Sequence, residues 1–363
     1  MPTMTPPPPL AIRFLDDDHV IRLIPALLAG PNGTSADYVR DFFSPEKIEA
    51  SAWAALTRRL EAYHIAPEAL SVSPEDSAVL VFRRGRIDTD ILDAHPNLRL
   101  IQRLGSGPHT IDLDAASERG IAVSCITRPS LVTVAEHCLM LMLAASRRLI
   151  PCDHAVRRAE YAPGKAGEVA YNWPGMTGIE SLYGKTLGIL GMGEVGTLLA
   201  ERARAFGMRL LYCDESPLPP AVARTLAAER VDKAALFARA DILSIHIPGT
   251  PANRKAVGAR EIALMKPEAI LINTSRGSIV DEDALCDALE TGRLSAAALD
   301  VHGHEPRGPD RITALPNVVL TPHLAAGSRL NVLKDIAMVC DNLLAVQYGD
   351  PIVHGLVPRG VAQ

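Results

Sequence analysis

Three side chains stand out for the chemistry their types allow: Arg276 in INTSRG, Glu305 in LDVHGHEP and His323 in TPHLA. Each follows a short apolar run of strand character, and open α/β sheets bind ligands outside the carboxyl ends of their strands. Together they cover what interconversion of a hydroxyl and a carbonyl requires. A planar guanidinium fork holds a carboxylate or polarises a carbonyl. An imidazole titrates near working pH and gives or takes a proton at oxygen. A carboxylate beside it orients the ring and favours its charged form. Taken singly, each has an ordinary alternative: a surface arginine before a glycine turn, a loop acid ahead of Pro306, a histidine closing a strand.

A second pattern names the other reactant. The turn GMGEVG, Gly191 to Gly196, follows the apolar run TLGIL and opens a helical stretch. That is the context in which G-x-G-x-x-G binds a dinucleotide. Gly191 permits the tight turn, Gly193 the approach of a pyrophosphate and Gly196 close packing of helix on strand. The free N–H groups and partial positive charge of the helix start suit phosphates. The next strand ends at Asp214, an acid placed to accept from the ribose hydroxyls and to repel a 2′-phosphate. Glu215 follows instead of a basic residue, so NAD is expected over NADP. A glycine turn in an unrelated α/β fold such as a methyltransferase, and a solvated acid at a strand end, are the alternatives. Asp300, in the apolar run AAALDV, is costly to bury unpaired. It accepts from the nicotinamide carboxamide or serves the fold.

The elements that must position these groups form two α/β series. In the first, apolar runs at 78–82, 98–104 and 121–125 read as strands, with helices at 88–96 and 112–119 between them. In the second, strands are expected at 186–192, after the turn helix at RLLYCD, and at 241–247, 269–275, 294–301 and 317–323, with helices including 260–265 and 281–291. Between the series, 132–149 is apolar nearly all round. It should be a buried helix in which Glu136 and His137 need partners. Residues 161–182 read as a surface loop, 330–348 as a last helix and PIVHGLVP as a tail. Residues 16–75 are hard to place; LDDDHVIRLIPALLAG and SPEKIEASAWAALTRRLEAY suggest helices.

A length of 363 residues suits two domains. A net charge of −5 offers no footprint for nucleic acid and matches an anionic membrane poorly. The six cysteines form no C-x-x-C pair and no His/Cys cluster of zinc-ligand spacing, so buried reduced thiols and no metal site are expected. MPTMTPPPPL is no secretory signal and reads as an extended arm. No run of about 18 uninterrupted apolar residues suggests a membrane span. A cytoplasmic protein is expected.

The strings LGSG, VAEH, GKTLGILGMGEVG, HIPGT, INTSRG, ALDVHGHEP and TPHLAAGS, in this order between about Asp76 and Pro358, resemble the D-isomer-specific 2-hydroxyacid dehydrogenase family. The resemblance implies a Rossmann NAD-binding domain at 130–329 and a flavodoxin-like substrate domain from 1–129 and 330–363, with the active site in the cleft between them. It implies a homodimer held largely through the nucleotide domain. It implies Arg276 for the substrate carboxylate and carbonyl, Glu305 as the histidine's partner and His323 as acid/base. It adds Ser106 and Gly107 as backbone donors to the substrate carboxylate. Met192, Glu194 and Val195 fall near the pyrophosphate, and His246, Ile247 and Pro248 along the adenosine. Thr274, Asp300 and Thr133, with Arg276 and His323, fall around the nicotinamide.

Several positions depart from the family pattern: Pro108, His109 and Thr110 after LGSG, TRPS at 127–130, Asn253 near the phosphates, and His302 where an aromatic residue is common. These departures are expected around the substrate pocket, with His109, His302 and His304 either touching substrate or serving as loop histidines. The rival reading is an NAD-sensing, corepressor-like binding protein of the same fold, with the proline-rich arm as its hint.

Overall fold

A computed structural model describes residues 10–16, 19–28, 72–83, 85–105, 107–108, 110–160 and 177–358. The chain divides into two compact units, residues 1–130 with 328–363, and 131–327.

The first unit holds a parallel sheet of β1 (Ile12–Phe14), β2 (Val79–Phe82), β3 (Leu100–Arg103) and β4 (Ala122–Cys125), in that order. VLVF is buried at every position, as a parallel strand covered on both faces must be. Side chains alternate between two cores. Val79, Val81 and Leu100 pack with Leu333, Ile336 and Val339 of the final helix, which runs Arg329–Tyr348. Leu80, Phe82 and Ile101 pack with residues of α2 (Thr89–Asp93) and α3 (Leu113–Glu118). Asp88 and Asp112 cap these two helices, accepting from Ile91 N at 3.2 Å and Ala115 N at 3.0 Å.

Several features of this unit were not expected. The three-residue β1 is an additional strand. LDDDHVIRLIPALLAG does form a helix as expected, α1, His19–Leu28; SPEKIEASAWAALTRRLEAY lies outside the described residues. The tail is no loose end, because it pairs antiparallel with the free edge of β4: Cys125 N donates to Gly355 O and Val357 N to Val123 O. Arg128 of TRPS, expected near substrate, is buried on Asp335 and Ser130 instead. Asp335 is fully buried, and burial pushes its carboxyl above the ordinary value.

The second unit is a seven-stranded parallel sheet with helices between its strands. In chain order the strands are β5 (Thr186–Leu190), β6 (Arg209–Cys213), β7 (Ala228–Arg230), β8 (Ile242–Ile245), β9 (Ile270–Asn273), β10 (Ala296–Leu299) and β11 (Val318–Leu320). Their spatial order is β11-β10-β9-β8-β5-β6-β7. The order reverses at β5, which pairs with both β6 and β8. This is the switch point where doubly wound sheets open a crevice at the strand ends. β7 was not foreseen; its AER carries no apolar run to mark it.

The apolar stretch folds as α4, Pro129–Ser146, and is followed by an additional helix, α5 (Leu149–Arg157). Val134, Ala135, Cys138, Leu141 and Met142 of α4 join the core of this unit. By length and composition α4 could cross a membrane, yet 61% of it is buried within the protein. Its burial is not complete all round, since Met140 and Leu143 are exposed. Glu136 is exposed too and needs no partner.

Candidate active site

Two glycines of the 191–196 turn, Gly191 and Gly196, answer to a measurable constraint. Gly191 has φ +95°, and a Cβ there would come within 2.8 Å of the His246 carbonyl carbon and of Ile247 N. Gly196 lies in the first turn of α6 (Glu194–Ala205), where a Cβ would stand 2.4 Å from Gly191 O. A Cβ on Gly193 would meet nothing within 4 Å, so the space beside the turn is open. No side chain caps α6, whose start at Glu194 presents the partial positive charge of a helix N-terminus. Asp214 reaches back across the turn: one carboxylate oxygen accepts from Met192 N at 2.6 Å, the other from Ser216 N at 3.0 Å.

Beyond β8, His246 is bonded through Nε2 to Ser244 Oγ at 2.8 Å. Burial pushes its imidazole down to about 4, so the ring is neutral at physiological pH. Asn253 Nδ2 donates to Pro248 O at 2.9 Å and braces that loop. An open glycine turn, a helix start without a side-chain cap and an acid at the end of β6 suit the phosphates and ribose of a dinucleotide.

The three candidate residues for the chemistry sit on three loops of the same unit. Arg276 follows β9, and buried Asn273 shapes its turn by donating to Arg276 O and accepting from Ser275 N. Gly249 leaves room for the arginine stem, since a Cβ there would fall 2.5 Å from Arg276 Cγ. The guanidinium is exposed, its Nη1 donating to Ser275 O. Gly277 packs against the 302–303 backbone so closely that a Cβ would stand 1.8 Å from His302 O.

His323 and Glu305, eighteen residues apart, meet with Nδ1 2.6 Å from Oε2. The other Glu305 oxygen accepts from His302 N at 3.0 Å. Burial works to raise the Glu305 carboxyl. The His323 bond, the His302 amide and the charges of both imidazoles outweigh it and hold the group below the usual glutamate value. The 302–310 loop is pinned at the start of α10 (Glu282–Glu290), where Glu282 accepts from Gly303 N and binds Arg307.

His323 has φ +54°, a left-handed conformation that costs a non-glycine residue about 1–3 kcal/mol and persists only when its surroundings over-determine it. Asp300 supplies that restraint. It is fully buried, with Oδ1 accepting from Thr321 Oγ1 at 2.6 Å and Leu324 N at 2.9 Å, and Oδ2 from Ala325 N at 2.8 Å. Burial raises its carboxyl, and these bonds with His137 more than reverse that. The fold therefore draws on Asp300 heavily, and only Oδ2 keeps a spare lone pair for a carboxamide. His137 finds the partner its burial demanded in Thr321, with Nε2 3.0 Å from Oγ1. The Thr274 hydroxyl lies 3.0 Å from Cys138 Sγ, whose thiol burial pushes up to about 12. Thr133 stands on α4, one turn before His137.

The His302 ring is turned to the fold, Nε2 lying 3.0 Å from Thr321 O. His304 is exposed. Gly107 belongs to the first unit, whereas Ser106 and His109 lie outside the described residues. Nothing in the sequence marked Arg230, which brings Nη2 to 2.9 Å from the carbonyls of both Asp214 and Glu215. Gly277 carried a signal, glycine directly after the arginine, but not its meaning.

Residues 139–325 match the family model described as D-isomer specific 2-hydroxyacid dehydrogenase, NAD binding domain. A glyoxylate reductase of Aeropyrum pernix is 41% identical over 297 residues, covering 81% of this chain and 86% of that protein. The chain belongs to the D-isomer-specific 2-hydroxyacid dehydrogenases. A D-3-phosphoglycerate dehydrogenase of Methanocaldococcus jannaschii is 39% identical over 256 residues, 70% of this chain; the match spans about half (47%) of that longer relative. Among solved structures, an NADPH-dependent glyoxylate/hydroxypyruvate reductase of Sinorhizobium meliloti in complex with NADP and malonate matches with a TM-score of 0.55 and 28% identity, covering 84% of this chain and 94% of that one. The protein is thus an oxidoreductase of 2-hydroxy acids that uses a nicotinamide dinucleotide on a Rossmann domain.

Proposed function

We propose that this dehydrogenase interconverts a D-2-hydroxy acid and its 2-keto acid with His323 as acid/base, Glu305 as its partner and Arg276 as the carboxylate and carbonyl ligand. The observation that carries this reading is the 2.6 Å contact between His323 Nδ1 and Glu305. It engages one ring nitrogen and leaves Nε2 to exchange a proton. When bound, the nicotinamide gives the hydride to the keto carbon or takes it from the hydroxy acid. In reduction, charged His323 delivers its Nε2 proton to the carbonyl oxygen. In oxidation, neutral His323 removes the hydroxyl proton, and Glu305 stabilises the resulting cation. Arg276 offers its exposed guanidinium to the carboxylate.

Gly191, Gly193, Glu194, Val195 and Gly196 would hold the pyrophosphate and Asp214 the ribose. His246, Pro248 and Asn253 would line the adenosine side, and Thr133, Thr274 and Asp300 the nicotinamide. NAD preference rests on Asp214, because the Arg230 fork is directed at backbone carbonyls instead of a phosphate. The first unit, with Ser106 and Gly107, would serve as substrate domain and residues 131–327 as nucleotide domain.

A cytoplasmic homodimer belongs to the same proposal. Exposed Met140 and Leu143 on α4 and Leu149, Ile150 and Val156 on α5 supply an apolar face for the second subunit.

The test is turnover of NADH with a panel of 2-keto acids. Wild type should oxidise it, and His323→Ala or Arg276→Ala should lower kcat/KM by about 10²–10⁴-fold. Full activity in either variant refutes the assignment. Dinucleotide binding without turnover would favour the corepressor-like reading.

A further inference from the structure

His302 reaches both halves of the proposed acid/base pair through different atoms. Its backbone N–H donates to Glu305 Oε1 at 3.0 Å. Its ring Nε2 lies 3.0 Å from Thr321 O, and a carbonyl only accepts, so Nε2 carries the proton of that bond. The same carbonyl oxygen accepts from the backbone N–H of His323 at 3.1 Å. The amide of His302 thus holds the glutamate, and its ring holds the carbonyl on which the backbone of the other histidine rests. The carbonyl of His302 in turn packs against Gly277, the residue directly after Arg276. All of these residues belong to the second unit.

The fold keeps an imidazole at this position at a cost. The other ring nitrogen, Nδ1, is buried and has no hydrogen-bond partner. In a neutral ring it is a bare acceptor, and in a charged ring an unmet donor; in both cases its desolvation is not repaid. An apolar aromatic ring, the type common here in the family's pattern, carries no such penalty. What the imidazole adds is the Nε2 bond. Among the described residues, the hydrogen bonds that join segment 302–306 to segment 321–324 are this bond and the His323–Glu305 contact. The contact within the pair strengthens when His323 is charged and weakens when it is neutral, so it cannot keep the spacing of the two segments constant through a reaction. The bond to Thr321 O does not involve the proton in transfer. Asp300 restrains the same turn from the end of β10, but it does not touch the glutamate's segment.

We propose that His302 is a positioning residue for the reaction: its ring clamps the Thr321 carbonyl, so that His323 stays in register with Glu305 in both of its protonation states. This rests on the function proposed above, in which His323 and Glu305 are the acid/base pair. His302 acts through the two residues it holds, and the donor at Nε2 is the part of it that matters.

The experiment compares His302→Phe, His302→Asn and His302→Gln with wild type in NADH-dependent reduction of the 2-keto acid that wild type turns over fastest. Phenylalanine keeps the ring and removes the donor. Glutamine carries an amide N–H as many bonds from Cα as Nε2, and asparagine falls one bond short. His302→Phe and His302→Asn should lower kcat by about 10–100-fold, the scale of a catalytic group displaced by up to about 1 Å. His302→Gln should regain most of that loss. The NADH dissociation constant, read by fluorescence quenching, should stay near wild type in all three, which separates a misplaced pair from a damaged nucleotide domain. Wild-type kcat in His302→Phe, or a glutamine variant no better than the asparagine one, would overturn the inference. The Asn–Gln comparison decides even if the Phe variant does not fold. If the clamp fails while His323→Ala is inactive, the acid/base pair stands without it; full activity in His323→Ala removes the pair itself.

Discussion

Replacing Gly277 with alanine should cripple catalysis although the glycine has no chemistry of its own. An ideal Cβ at this position stands 1.8 Å from His302 O and 2.0 Å from its carbonyl carbon. Carbon–oxygen contacts settle at about 3.3 Å or more, so one of the two loops must withdraw by roughly 1.5 Å. Neither is free to do so harmlessly. Gly277 directly follows Arg276, and the other loop carries Glu305, held by His302 N and in contact with His323. Misplacement of a catalytic group by about 1 Å costs on the order of 100-fold in rate. Gly277→Ala should therefore lower kcat/KM for keto-acid reduction by at least about 100-fold. The glycine turn at 191–196 is untouched, so the NADH dissociation constant, read by fluorescence quenching, should stay near wild type. Overpacking of this kind costs about 1–3 kcal/mol, and a melting curve should show a fold that is weakened but present. A folded variant that binds NADH and turns over at the wild-type rate would refute the idea that this contact sets the spacing of the two loops.

The Glu305 carboxyl is held below its ordinary value of 4.5, so the charged partner of His323 is fully present above that pH and is lost as pH falls through the lowered value. Reductive kcat/KM should consequently show no inflection from Glu305 between pH 7 and 5 (a range bounded by about the ordinary glutamate value), and Glu305→Gln should lower the rate by about 10–100-fold throughout that range. Asp214→Ala should raise KM for NADH by about 10–100-fold and narrow the preference against NADPH, because Arg230 then stands beside the ribose without the repelling carboxylate. Equal discrimination in wild type and variant would remove Asp214 from cofactor choice. Leu143→Glu, on the exposed face of α4, should shift the protein from dimer to monomer in size-exclusion chromatography with light scattering. An unaltered dimer would move the interface elsewhere.

Much of the site was legible because its signals are local. A strand buried on both faces must be an apolar run, so TLGIL, ILIN and AAAL mark themselves. The candidate residues for the chemistry then sit in the few positions that follow each run. A glycine turn between strand and helix likewise declares itself through spacing alone, and Gly191 and Gly196 each meet a separate steric demand that the motif encodes. Short elements such as AER and IRF escaped notice because three residues hold too little periodicity to stand out from a loop.

What the amino-acid sequence marked by itself is therefore the two series of parallel strands apart from β1 and β7, the dinucleotide turn, and Arg276, Glu305 and His323 as candidates for the chemistry. Only the tertiary structure decided how they are held. His137 meets Thr321 across 184 residues, Asp300 locks the strained backbone of His323, Gly277 closes on His302, and Arg230 comes beside Asp214. The reason is physical. Burial patterns are written every second or every third to fourth residue and can be read in a short window. A hydrogen-bond partner is a property of space that exists only once distant segments have packed.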